Sequence, residues 1–270
     1  MDIQTLLDGV VIPIDKPRGW TSFQAVGKVR AAIRSTYGIK KFKIGHAGTL
    51  DPLATGLLLI CVGKATKRID ELQQGIKVYS GTMVLGATTP CYDLERAIDH
   101  YYPYEHITAE SIESVLPQFI GDISQVPPVF SAVKIDGQRA YKYAREADGD
   151  APEPVAKRVH VDQFVITAFR PSTVPPSITQ NQETQQPLVN HHLYNNPQGT
   201  VPPHLPQADF IITCGKGTYI RSLARDMGIA LGSGAFLASL RRERIGNYTL
   251  DNAISIDGTL PNSLCDFFSE

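Results

Sequence analysis

Asp51 stands in the stretch Gly45-His46-Ala47-Gly48-Thr49-Leu50-Asp51-Pro52-Leu53-Ala54-Thr55-Gly56, where neighbouring glycines permit tight turns and close approach of a ligand to a carboxylate. That suits an active-site loop. It also suits plain turn chemistry, since Asp before Pro favours turns and hydrogen-bonds nearby amides. Further along, Gly215-Lys216-Gly217-Thr218-Tyr219-Ile220-Arg221 is expected to place Tyr219 and Arg221 on one face of a strand just before a helix. An arginine there either neutralises a buried carboxylate or makes an ordinary surface ion pair. Gly63-Lys64-Ala65-Thr66 ends like a phosphate loop. The Walker pattern, however, requires glycine five positions before the Gly-Lys pair, where Leu58 stands, so a nucleotide triphosphatase is disfavoured.

Other chemistries are excluded by what surrounds these residues. Cys61, Cys91, Cys214 and Cys265 are far apart and form no CxxC pair, which argues against a zinc site or a dithiol centre. Cys61 lies in the apolar run LLLICV and reads as a small buried hydrophobe. No apolar run approaches the roughly 20 residues that span a bilayer, and the N-terminus lacks the layout of a secretory signal. A soluble, cytoplasmic protein is expected. Net charge is only −1, but residues 15–68 carry 11 Lys or Arg against two acidic residues, while residues 89–123 carry one Arg against seven. A basic segment on a near-neutral chain is the footprint expected for a phosphate backbone, and equally that of a solvated basic face.

The elements that must position these residues follow from periodicity and punctuation. Residues 9–14 form a short strand, followed by a turn over 15–19. Thr21-Ser22-Phe23-Gln24 fits a capping box opening a helix with Val26, Val29 and Ile33 on one face and a stop at Gly38. Strands are expected over 57–62, 77–85, 159–169 and 209–221, and helices over 108–119 and 222–231, the latter closed by Gly232. The class is α+β with a mixed sheet. At 270 residues, one large catalytic domain covering 1–270 is the expectation. Residues 171–207 hold eight of the 19 prolines and one charged residue, Glu183. They read as a low-complexity surface insertion in which His191-His192 is incidental, and no metal site is foreseen.

Taken together, GHAGTLDPLATGLL, Lys77-Val78-Tyr79, GKGTYIRSLARDMG and Leu240-Arg241-Arg242 resemble, in order and spacing, the family of bacterial tRNA pseudouridine-55 synthases, the TruB type. The likeness runs from about residue 9 to residue 256, outside the insertion. It implies the pseudouridine synthase fold, a mixed and mostly antiparallel sheet flanked by helices and loops. It also implies isomerisation of the uridine at position 55, in the T-arm loop of tRNA, without metal or cofactor. By that resemblance Asp51 is the catalytic aspartate, Tyr79 the active-site aromatic, and Arg221 the partner of the aspartate. His46 matches the histidine associated with base flipping, and Tyr219 and Leu240 match positions that shape the uracil pocket. The segment from Ser131 to Tyr141 looks like the family's RNA-gripping element, with Lys134, Arg139, Lys142 and Arg145 for phosphates; a plain amphipathic helix is the alternative. Lys16 and Lys64, from the basic segment, complete the expected RNA contacts.

The implied reaction breaks the N1–C1′ bond, turns the uracil and joins C5 to the same sugar carbon, with no redox change. An ionised carboxylate serves it either as nucleophile at C1′ or as base on the sugar. Extruding a stacked base costs roughly a few kcal/mol, and Tyr79 offers a stacking face, although strand tyrosines also simply pack. Many relatives continue into a small C-terminal RNA-binding (PUA) domain. Here about 25 residues follow Ile245, so that domain is expected to be absent. The partner is tRNA, with no membrane, no obligate protein partner and a monomeric chain. Two other readings compete: a non-catalytic RNA-binding or tRNA-folding protein on the same fold, and a glycosidase acting on free nucleosides.

Overall fold

In the computed structural model, Thr21 caps the longest helix among the described residues, Ser22–Tyr37. Its hydroxyl accepts the Gln24 amide at 3.1 Å while the Gln24 side-chain oxygen accepts the Thr21 amide at 2.7 Å, the two halves of a capping box. Gly38, at φ +67°, returns its amide to the Arg34 carbonyl at 3.0 Å, so start and stop both fall where the sequence places them. Ala25, Val26, Val29, Ala32 and Ile33 are buried along this helix.

The structure describes residues 1–131, 133–135, 138–140, 154–172 and 201–256, with backbone alone for Lys134, Ile135, Gln138 and Arg139. Most of the proline-rich insertion, His191-His192, Lys142, Arg145 and Cys265 lie outside the described residues. The chain divides into two compact units, Met1–Ser80 with Leu240–Glu270, and Gly81–Ser239.

The first unit includes the strands β1 (Val10–Lys16), β2 (Ile44–Ala47), β3 (Thr55–Val62) and the start of β4 (Lys77–Leu85). β3 is central. It runs antiparallel to β1, from Val10 opposite Val62 to Lys16 opposite Gly56, and antiparallel to β2. It is parallel to the strand Ala235–Ile245 where Arg241 and Arg242 face Thr55 and Gly56. All its residues but Thr55 are buried, which explains a continuous apolar run in place of alternation. Leu57, Leu59 and Cys61 pack with Ala47, Ala65, Leu72 and Ile245, and burial pushes the Cys61 thiol up to about 11, as befits an inert core residue. A helix over Ile3–Gly9, capped by Asp2, precedes β1 and was not foreseen; at seven residues it is too short to show a period.

The second unit is built on the strand Lys157–Arg170, antiparallel to both Gln207–Cys214 and Gly121–Gln125. Phe164 stacks edge-on with Phe119 and Phe210 at 6.3 and 6.1 Å between ring centroids, within the range such pairs favour. The helix expected over 108–119 splits into an α-helix, Ala109–Val115, and a 3-10 turn, Leu116–Phe119. Lys134–Ile135 and Gln138–Arg139 pair as a small antiparallel ladder, so the amphipathic-helix alternative does not hold for those four residues. Pairing is mostly antiparallel in each unit, the α+β class that was expected. Among the described residues no helix is long and apolar enough to cross a membrane.

Candidate active site

The loop between β2 and β3 carries Asp51, and its backbone is tied down on both sides of that residue. Before it, the buried Ser22 hydroxyl donates to the Leu50 carbonyl at 3.0 Å and accepts the Leu50 amide at 2.8 Å. After it, the Pro52 carbonyl accepts from the Gly19 amide at 2.8 Å and from Lys16 Nζ at 3.2 Å. Lys16 is wholly buried, and its ammonium also donates to the carbonyls of Trp20 at 2.7 Å and Pro17 at 3.0 Å. Three donors meet three acceptors, which leaves none for a phosphate; Lys16 serves the loop from beneath. Burial pushes Lys16 down to about 8, opposed by the nearby Asp51 charge and assisted by Arg242.

Arg242 holds the outer parts of the same loop. Its side chain, 1% exposed, donates from Nε to the Leu57 carbonyl at 2.8 Å and from Nη2 to the Gly48 carbonyl at 3.0 Å. Nη1 reaches the Thr49 carbonyl at 3.4 Å. Gly48 and Gly56 have φ of +92° and +97°, the left-handed region that favours glycine. A Cβ on Gly56 would also lie 2.3 Å from the Arg242 carbonyl oxygen. Gly48 is therefore favoured by conformation, and Gly56 is required by conformation and by contact.

His46, on β2, is half-buried, and its Nδ1 is buried with no hydrogen-bond partner among the described residues. Burial, and then the charge of Arg242, lower its pKa, so the imidazole is favoured in its neutral form. Tyr79 is buried on β4, and Leu240 is half-buried with its carbonyl accepting from Thr55 Oγ1 at 3.5 Å. Lys64 instead lies exposed on the 3-10 turn Gly63–Arg68, paired with Asp8 at 2.7 Å.

In the second unit, Tyr219 and Arg221 do not share a strand. The strand ends at Cys214, Tyr219 stands at the N-cap position of the helix Ile220–Ala230, and Arg221 belongs to its first turn. The turn through Gly217, at φ +90°, separates the two elements. Buried Gln125 accepts the Tyr219 amide at 2.8 Å and donates to its carbonyl at 3.1 Å. Arg221 is buried, donates to the Cys91 and Phe130 carbonyls at 2.9 Å each, and has Nε 3.8 Å from Asp93 Oδ2. Lys134 and Arg139 stand opposite each other in the small ladder.

Sequence reasoning missed Ser22 and Arg242 as supports of the loop that carries Asp51, and Gln125 as a support of Tyr219. Ser22 was read only as part of a capping box and Arg242 only as the end of a motif. The charged run Arg241-Arg242-Glu243-Arg244 on this strand gave no sign of which arginine would be buried. Among the described residues no group of three or more His, Cys, Asp or Glu is placed to hold a metal ion.

A profile described as TruB family pseudouridylate synthase (N terminal domain) matches residues 34–186, a span that includes His46, Asp51 and Tyr79. The tRNA pseudouridine synthase B of Flavobacterium johnsoniae is 46% identical over 257 residues, covering 95% of this chain and 96% of that protein. The protein of the same name from Phocaeicola vulgatus is 45% identical, covering 93% of this chain and 91% of the relative. Among solved structures, a chain of a Cbf5-Nop10-Gar1 complex superposes with a TM-score of 0.59 at 25% identity, over 95% of this chain and 55% of that one. A chain of an archaeal box H/ACA sRNP Nop10-Cbf5 complex gives 0.57 at 23%, over 99% of this chain and 56% of that one. The chain spans just over half the length of these two solved chains.

Proposed function

The chain belongs to the TruB family of pseudouridylate synthases, and on that premise we propose that Asp51 is its catalytic carboxylate, acting on the uridine at position 55 in the T-arm loop of tRNA. The protein is an isomerase that forms pseudouridine in tRNA, as its relatives named tRNA pseudouridine synthase B do. The assignment of Asp51 is carried by one observation. The residues on either side of it, Leu50 and Pro52, are each fixed by a buried side chain, Ser22 and Lys16, while Asp51 itself stays half-exposed. A loop so braced presents a carboxylate in one geometry, the condition for attack on or deprotonation of a sugar held beside it.

In this reading the N1–C1′ bond breaks, the uracil turns, C5 joins C1′, and the hydrogen on C5 is removed as N1 gains one. Tyr79 and Arg221 complete the catalytic group. Tyr219 and Leu240 shape the uracil pocket, and His46, neutral and unpartnered at Nδ1, meets the strand from which the base was extruded. Lys64, Lys134 and Arg139 take phosphates; Lys16 acts by holding the loop. The protein works in the cytoplasm as a monomer and without a protein partner.

Incubation with an unmodified tRNA transcript, followed by mapping of pseudouridine, tests the reading. A single modified site in the T-arm loop is the expected product. Tight binding without modification would return the protein to the RNA-binding alternative, and release of free uracil would mark a glycosidase. A sugar adduct trapped on Asp51 would identify it as nucleophile; full isomerisation with no adduct under trapping conditions supports the base.

A further inference from the structure

We infer that Arg242 is a positioning residue for the reaction, setting the Asp51 loop through its contacts with the loop backbone. The inference rests on the assignment of Asp51 as the catalytic carboxylate and adds a residue to which no role in the chemistry has been given.

Three features set Arg242 apart from an ordinary structural arginine. Its guanidinium makes no ion pair among the described residues; its hydrogen bonds go to the carbonyls of Gly48, Thr49 and Leu57, which bracket Asp51 in the chain. Burying a cation against neutral acceptors is costly, and a strand needs no such group for its own pairing. Arg241, next to it on the strand, does what surface arginines do, binding Asp15 through two hydrogen bonds of 3.0 and 2.7 Å while about a third exposed. Finally, the glycines of the motif are matched to Arg242 at both ends. Gly48, at φ +92°, offers its carbonyl to Nη2 at 3.0 Å, and Gly56 lies against the Arg242 main chain, where a Cβ would come within 2.3 Å of the carbonyl oxygen. Side chain and backbone of one residue therefore set both ends of the loop.

Arg242 donates from three separate nitrogens of a rigid planar fork, whereas a lysine such as Lys16 donates from a single point, so lysine cannot reproduce these three spread-out contacts. Arg242→Lys keeps the charge and loses the fork. Since a displacement near 1 Å at a reacting group costs about 100-fold, kcat should fall roughly 10- to 100-fold, while KM for tRNA stays within about twofold and the circular-dichroism spectrum remains native. Added guanidinium should restore part of kcat to Arg242→Ala where that variant folds, and methylammonium should not; the Lys variant decides the matter alone where it does not. Near-normal kcat in Arg242→Lys, a loss confined to KM, or loss of its native spectrum would each overturn the inference, the last because Arg242 would then hold the fold and not the loop. Asp51→Asn, assayed in parallel, separates the two claims. An active Asn variant removes the role of Asp51, whereas an inactive one beside a normal Lys variant removes only that of Arg242.

Discussion

The Ser22 hydroxyl closes both polar groups of Leu50, accepting its amide at 2.8 Å and donating to its carbonyl at 3.0 Å across 28 positions of chain. The residue directly before Asp51 is thus locked by one buried atom. Ser22→Ala leaves a buried N–H and C=O without their partner, at a cost of about 1–3 kcal/mol. Urea unfolding should show the loss, and kcat should fall with it. A variant as stable and as active as the parent would show that water or loop relaxation replaces the hydroxyl.

Asp51→Asn keeps the size of the side chain and removes its negative charge. Isomerisation of tRNA should become undetectable in single-turnover assays, while the tRNA dissociation constant changes only a few-fold, because phosphate contacts dominate affinity for RNA. Turnover near that of the parent would exclude Asp51 as the reacting carboxylate.

Lys64 holds Asp8 at the surface with both groups largely exposed, a weak, solvent-screened pair that is easily exchanged for a phosphate. Lys64→Ala should leave stability and kcat unchanged, raise KM for tRNA, and lower the slope of log affinity against log salt by about 1. An unaltered slope would remove Lys64 from the RNA contacts.

What could be read in advance was local. Thr21, Gln24 and Gly38 lie within one helix and announce its two ends, and the continuous apolar run of β3 announces burial on both faces. The position of Asp51 in a glycine-rich loop was equally visible. Its supports were not, because Ser22 reaches Leu50 from another element and Arg242 reaches Gly48 and Leu57 across 194 and 185 positions. Tyr219 and Arg221 were misplaced on a strand because the two glycines at 215 and 217 were read as part of it; the turn they make starts a helix two residues earlier than expected. Lys16, counted among the basic residues, gave no hint that it would be buried. Only its three carbonyl partners show why it is.

Gly56→Ala tests the close approach at the end of the loop. A left-handed backbone costs a side-chain-bearing residue about 1–3 kcal/mol, and here the new Cβ would also meet the Arg242 carbonyl oxygen at 2.3 Å and its amide nitrogen at 2.8 Å. Backbone atoms of two paired strands cannot yield as a flexible side chain does, so the variant should be less stable than Ser22→Ala, with a lower urea midpoint. Equal midpoints would mean that the strands separate at little cost.

Lys16 gives stability a particular dependence on pH. In the folded protein burial brings it to about 8, against an ordinary value of 10.5. Between those limits the unfolded chain keeps a proton that the folded protein has released. Unfolding then takes up protons, so the contribution of this group to stability rises with pH from about 8 to about 10.5 and is flat and lowest below 8. Other groups titrating in that range, tyrosines and cysteines among them, obscure the effect in the wild type alone, but they are common to Lys16→Met. The difference in unfolding free energy, wild type minus variant, should therefore climb by on the order of 2 kcal/mol between about pH 7.5 and pH 10.5. A difference that stays level would mean that Lys16 keeps an ordinary pKa beneath the loop, solvated by water that reaches its ammonium. One that falls with pH would mean that the charged form is favoured there, with the Asp51 carboxylate outweighing desolvation.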